Sequence, residues 1–257
     1  MILSIGQKTD FTRTGLTVMI KNSGICILFL AALSIIVGCK NNIAHQTPAT
    51  IVFMIGTPSS GKTSIAKALQ KQLDQPYLYA ATDTFVGMLP ASYRPSASVE
   101  LESQRKQGIY FVKDTSGPEV RTYVKLGPVA QKLTTGIIRA IAGFASTGLN
   151  IICEGVIWEK AILQEAARGW KDFRVFFVHV NPSLQEAERR ESLRDDWFEG
   201  GERMQDQVRG AYETIQTFGD IYDLELETTH MTPEQGAERI IEYMQVNPNP
   251  MAFKKLA

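Results

Sequence analysis

Cysteine is nearly absent from this chain, with three residues in 257. Three cannot build a disulfide-stapled scaffold, so stability has to come from a packed apolar core. A basic excess is lacking too, since 27 Lys and Arg face 27 Asp and Glu. That balance gives no electrostatic footprint for a nucleic acid, and no nucleic-acid partner is expected. No segment repeats at solenoid or propeller spacing. The 20 glycines and 11 prolines exclude a collagen-like or low-complexity chain. With 44% hydrophobic and 21% charged residues, wholesale disorder is excluded as well. The length suits one large domain or two small ones.

One stretch departs from that average. Ser23 to Gly38 (SGICILFLAALSIIVG) carries no charge. About 15 apolar residues span roughly 22 Å as a helix, short of the ~30 Å hydrocarbon core but right for a signal-peptide core. Lys8, Arg13 and Lys21 precede it, against Asp10 alone, a bias that holds the N-terminus inside and sends the downstream chain outward. The run closes on Ile36-Val37-Gly38-Cys39. Small residues before a cysteine at that place resemble a bacterial lipobox, which implies a lipid on Cys39 and a membrane-anchored lipoprotein on the periplasmic side of the cell envelope. Two alternatives stay open. The segment is an uncleaved short anchor, or the start is misassigned (Met19 is an ordinary one) and the protein is cytoplasmic. The domain plan is then a leader at 1–39, a polar linker at 40–49, a catalytic domain at 50–246 and a flexible tail at 247–257. Cys153, inside an apolar run, reads as a buried unreactive thiol.

Thr50 to Ile55 (TIVFMI) is apolar and rich in β-branched residues, as in a buried parallel strand. It runs into Gly56, Thr57, Pro58, Ser59, Ser60, Gly61, Lys62 and Thr63, then into Ser64 to Leu73, where Ile65, Leu69 and Leu73 recur at helical spacing. This is G-x-x-x-x-G-K-[ST] between a strand and a helix, the context the motif requires. Gly56 and Gly61 let the backbone bend so that N–H groups converge. Those donors and the helix N-terminus meet the charge of a polyphosphate. Lys62 supplies a mobile positive charge for the β- and γ-phosphates, and the Thr63 hydroxyl suits Mg²⁺. ATP, with Mg²⁺, is the expected ligand, bound by Gly56 through Ser64.

Strand and helix signals alternate over the rest of the chain, which predicts an α/β sheet with helices on both faces. Further strands are expected at Tyr77–Ala81, Asn150–Cys153, Phe173–Val180 and Leu224–Leu226, making five. A long helix is expected over Pro128–Ser146, and a last one opens at Thr232-Pro233-Glu234 with Thr as N-cap. Ile109–Lys113 and Val120–Val124 flank Asp114–Gly117 as a hairpin within a long insertion, Ala91 to Leu126. Tyr110, Phe111 and Tyr123 on it either wall an apolar substrate or form a peripheral flap. His179 lies among apolar strand residues and reads as structural. His45 and His230 are too isolated for a metal site.

The loop GTPSSGKT, ATDTF with Asp83, KLGPV at 125–129, IICEG with Glu154, the Arg190–Arg194 stretch and YDLELETTH at 222–230 together resemble the chloramphenicol phosphotransferase-like P-loop kinases. The resemblance covers Ile51 to Met244. Zeta-toxin-like kinases share the plan more distantly. It implies a five-stranded parallel P-loop NTPase fold like that of adenylate and shikimate kinases. It also implies transfer of the γ-phosphoryl of Mg-ATP to a hydroxyl of a small molecule. Asp83 then maps onto the family's base. Trp197 stands where another lid arginine is expected, and two extra residues precede Arg190.

Each candidate has a plainer reading. Asp83, beyond a strand's carboxyl end, either takes the proton of the attacking hydroxyl or caps the short helix after it. Glu154 resembles a Walker-B carboxylate holding Mg²⁺ through water. It can equally serve the substrate, act as base, or be a buried structural group. Arg190 and Arg194, one helical turn apart and expected to share a face, either stabilise charge on the transferring group or belong to a solvated Glu–Arg helix. Gly200-Gly201 suits a hinge, and Arg203 is a weaker candidate. The alternative function is a lipid-anchored nucleotide-binding protein without catalysis. The leader sharpens that choice, because ATP is scarce outside the inner membrane.

Overall fold

The computed structural model describes residues 48–95, 101–194 and 206–257. The leader, most of the linker, Trp197, Gly200, Gly201 and Arg203 lie outside the described residues. Among the described residues no helix is long and apolar enough to cross a membrane.

Strand β1 (Thr50–Ile55) is buried along its whole length, as its continuous apolar sequence requires. Side chains alternate across it. Ile51, Phe53 and Ile55 enter one core with Ile141, Leu163, Trp170 and Phe177, while Val52 and Met54 enter another with Ile65, Leu69 and Ile240. The sheet is parallel, in the order β2 (Tyr77–Ala81), β5 (Asn150–Gly155), β1, β6 (Arg174–Val180), β7 (Leu224–Leu226). Helices α4 (Pro128–Ser146) and α5 (Lys160–Gly169) supply one face, α1 (Lys62–Gln72) and α8 (Pro233–Val246) the other. Because β1 has β5 and β2 on one side and β6 and β7 on the other, the chain after β1 emerges at the switch point where open α/β sheets bind ligands.

Five strands, the hairpin and α4 fall where the sequence puts them. Thr232 caps α8 in a reciprocal box. Its hydroxyl accepts from Gln235 N (3.3 Å) while Gln235 Oε1 accepts from Thr232 N (2.9 Å). The hairpin of β3 (Ile109–Asp114) and β4 (Arg121–Leu126) forms a separate two-stranded sheet. Helix α7 (Gln207–Gln216) holds it. Asp206 O accepts from Thr122 N (2.9 Å), and Glu213 accepts from Arg121 Nε (2.6 Å) and Tyr123 OH (3.0 Å).

Two expectations are corrected. The segment 247–257 does not trail away. It ends in a 3-10 turn, Phe253–Leu256, whose Phe253 ring is 2% exposed and meets Phe53, Trp170 and Phe177 at centroid distances of 5.2–5.7 Å. Two prolines in the segment argue for fraying, but burying one aromatic ring outweighs that, at about 1.5–3 kcal/mol. Arg190 and Arg194 also do not share one regular helix face. Helix α6 (Leu184–Ser192) stops before Arg194, tightened by bonds from Leu193 N to Arg190 O (3.3 Å) and Arg194 N to Glu191 O (3.2 Å).

Candidate active site

The loop after β1 bends as its glycines allow. Gly61 has φ +99° and Ser59 φ +60°, so residues in the left-handed region alternate with others and turn successive N–H groups toward one concavity. At Gly56 any side chain is excluded, because a Cβ would stand 2.3 Å from the Val180 carbonyl oxygen of β6. Lys62 is 6% exposed. Its ammonium donates to Thr57 O (2.7 Å), Gly56 O (3.1 Å) and Ser60 Oγ (3.3 Å), so all three donors are occupied by the loop itself. Burial pushes its pKa down, while Glu154 and Asp83 pull it back up.

A polar cleft of about 480 Å³ opens over the loop, lined by Pro58 through Ile65 with Asp83, Glu154, Arg190 and Arg194. Gly56 and Thr57 stand behind it and contribute through their carbonyls. Glu154, at the end of β5, is 6% exposed, and its Oε1 accepts from both Thr63 Oγ1 (2.8 Å) and Tyr79 OH (2.8 Å). Among the described residues no cluster of three or more His, Cys, Asp or Glu can hold a metal unaided. Thr63 beside Glu154 suits a cation that arrives with phosphates. Mg²⁺ takes one or two protein oxygens, keeps several waters, and borrows the rest of its shell from the nucleotide.

Asp83 sits in the first turn of α2 (Thr82–Val86), whose N-cap is Ala81 with no side-chain cap bond. The plainer reading of Asp83 as the cap is therefore corrected: the carboxylate is left for the cleft. The residue opens to solvent, yet protein crowds the carboxylate enough to raise its pKa. Burial leads, Glu154 adds to it, and Lys62 and Arg194 oppose it.

The two arginines reach the loop by different routes. Arg190 Nε pairs with Glu186 (2.7 Å), and its other nitrogens donate to Thr228 O (2.7 Å) and Ser60 O (3.4 Å). It braces the back of the phosphate loop. Arg194 NH1 donates to Ser59 Oγ (3.4 Å) and lies within electrostatic reach of Asp83 and Glu154.

Behind Asp83 lies a second cavity that no local motif announces. It is apolar, about 140 Å³, and walled by Phe53, Ile109, Phe111, Val124, Leu126, Ile141 and Trp170, with the buried Gln207 of α7. Asp83 and Val156 line both cavities. Of the three hairpin aromatics, Phe111 lines the slot, Tyr123 is tied to Glu213, and Tyr110 lines neither cavity. His179 is buried and stacked on Tyr222 at 4.5 Å, outside both cavities. Cys153 is buried, and its surroundings push the thiol pKa well up, as an inert thiol requires. Tyr79 and Gln207 escaped the sequence reading. Tyr79 looked like strand filling, and Gln207 carries no local signal.

Known proteins resemble this chain in sequence and in fold. A protein of Mycobacterium tuberculosis, found in two strains and provisionally described as an O-phosphotransferase, is 31% identical over 218 residues, covering 83% of this chain and 90% of its own. The unliganded crystal structure of a sugar kinase from Janibacter sp. HTCC2649 superposes with a TM-score of 0.50 at 16% identity, over 78% of this chain and 97% of that one. That likeness bears on the fold alone. Residues 49–245 match the family described as chloramphenicol phosphotransferase-like protein, and the chain belongs to that family.

Proposed function

We propose that this protein transfers the γ-phosphoryl group of Mg-ATP to a hydroxyl of a small acceptor whose apolar part lodges behind Asp83. One observation carries the reading: a single carboxylate, Asp83, lines both the phosphate cleft and the apolar slot. A general base for phosphoryl transfer has to touch acceptor and donor sites alike.

The steps follow from the residues. The inward N–H groups of the loop receive the phosphates. Lys62, now held by its own loop, turns its donors to the β- and γ-oxygens. Thr63 and Glu154 would hold Mg²⁺, which neutralises charge on the phosphates when bound. Asp83 accepts the acceptor's proton as the hydroxyl oxygen bonds to the γ-phosphorus and the bond to the β-phosphate oxygen breaks. Arg194 stabilises charge on the transferring group, while Arg190 keeps the loop in shape.

The slot constrains the acceptor. Its volume is close to the ~150 Å³ of an apolar cavity known to hold benzene, so it takes a ring-sized apolar group. No lysine, arginine or histidine among the described residues lines it. The end of the acceptor that enters it therefore carries no negative charge.

The test is a panel of hydroxyl compounds with γ-labelled ATP, run on wild type and Lys62→Ala. Label transferred by the first and not the second supports the reading. Nucleotide binding without transfer to any compound overturns it in favour of a binding protein. The lipid anchor at Cys39 stands as a further proposal, resting on the Ser23–Cys39 sequence. Mass spectrometry of the mature N-terminus tests it, and an unmodified Met1 or Met19 overturns it.

A further inference from the structure

We infer that Tyr79 is a positioning residue for the cation that travels with the nucleotide, acting through the Glu154 carboxylate. The inference rests on the phosphotransferase reading of the cleft. The β2–β5 register sets Ala81 opposite Glu154 and Tyr79 opposite Ile152, so Tyr79, two residues before Ala81, shares Glu154's face of the sheet. That is the face α1 covers, which brings Thr63 to the same point. The Tyr79 ring packs, half-buried, against the core on that side, and this fixes where its hydroxyl ends.

Two hydroxyls from two different elements then donate to one oxygen. Tyr79 and Thr63 both reach Glu154 Oε1 at 2.8 Å, leaving Oε2 with no protein donor among the described residues. One donor alone lets a carboxylate turn about its last bond. Two donors on the same oxygen settle which oxygen faces protein and which faces the cleft. The Thr63 hydroxyl gains as well. With its hydrogen committed to Oε1, its oxygen lone pairs are free for a cation. Tyr79 touches neither nucleotide nor acceptor, as it lines neither cavity. Among the described residues its hydroxyl meets Glu154 and, beside it, Thr63, the two groups that would hold the cation. Partners of this kind typically change metal affinity about 10- to 100-fold when removed.

The experiment is calorimetric titration of the full chain with an unreactive ATP analogue, with Mg²⁺ and with a chelator, for wild type and Tyr79→Phe. The substitution keeps the ring and removes one oxygen. Affinity in chelator should stay unchanged, and the gain produced by Mg²⁺ should shrink about tenfold. The melting temperature is measured alongside. An unchanged Mg²⁺ gain overturns the inference whatever the melting temperature does. Equal losses in both conditions also overturn it, because packing moves both alike. If wild type binds no nucleotide in either condition, the phosphotransferase reading fails first and this inference fails with it.

Discussion

The two cavities that meet at Asp83 are built in opposite ways. The polar cleft takes about half of its lining from one unbroken run, Pro58 through Ile65, set between a strand and a helix. The apolar slot draws on Phe53 of β1, Ile109 and Val124 of the hairpin, Ile141 of α4, Trp170 after α5 and Gln207 of α7. Phosphate recognition can be local because its donors are main-chain groups, and a short sequence fixes their direction. An apolar enclosure has no such shortcut, since it is the space left when distant elements pack. The difference separates a generic task, gripping a polyphosphate, from a particular one, choosing an acceptor.

Asp83 belongs to both, so changing it should do the most damage. With any acceptor the panel yields, Asp83→Asn should lower kcat by about 10²- to 10⁴-fold, the usual worth of a general base. The raised pKa of Asp83 adds a signature. The acidic limb of kcat/KM should lie above the range of an ordinary aspartate and vanish in the variant. Full phosphotransfer by Asp83→Asn would end the claim that the two cavities share a base.

Phe253→Ala sharpens the contrast from the far side. Phe53 lines the slot and meets Phe253 edge-on at 5.7 Å, so the C-terminal turn props the slot's inner wall. The truncation should cost about 3 kcal/mol, lowering the melting temperature by roughly 6–12 °C. It should raise the KM for acceptor while the KM for ATP holds. An equal rise in both would mean the cavities are not independent.

This asymmetry also explains how much could be read from the sequence. Thr50–Ile55, Tyr77–Ala81 and Pro128–Ser146 were legible because apolar spacing and caps are local. Lys62, Thr63 and Glu154 were legible from the motif and from the end of a strand. Asp83 needed the family resemblance, since Thr-Asp-Thr alone reads as readily as a helix cap. Tyr79 was not legible. Its role depends on strand register, which pairs Ala81 with Glu154 at a sequence separation of 73. Nor was Phe253, whose partners Phe53, Trp170 and Phe177 lie on other elements. Helix α6 was half-legible: its charge pattern was plain, but the chain leaves the helix before Arg194.

A smaller effect tests the slot itself. Val124, half-buried on β4, contributes to its wall. Val124→Phe fills part of the space and should raise acceptor KM about tenfold, the scale of one misfit group in an apolar pocket, with ATP KM unmoved. An acceptor KM left unchanged would place the acceptor somewhere other than the slot.

The smallest effect has the opposite sign to the others. The Asp83 pKa is raised in the fold, so between its unfolded and folded values the native state binds the extra proton. Stability therefore falls as pH rises through the folded value, and at neutral pH the ionised carboxylate is a cost to the apo fold. Asp83→Asn, expected to lower kcat, should slightly raise the melting temperature at neutral pH. That gain should shrink as pH falls through the folded value and disappear below the ordinary aspartate range, where both states are protonated. Thermal melts of the two proteins across pH read this directly. A variant less stable at neutral pH would mean that attraction from Lys62 and Arg194 outweighs burial and Glu154. Asp83 would then be a structural ion-pair partner, not a carboxylate kept in strain as the proposed base requires.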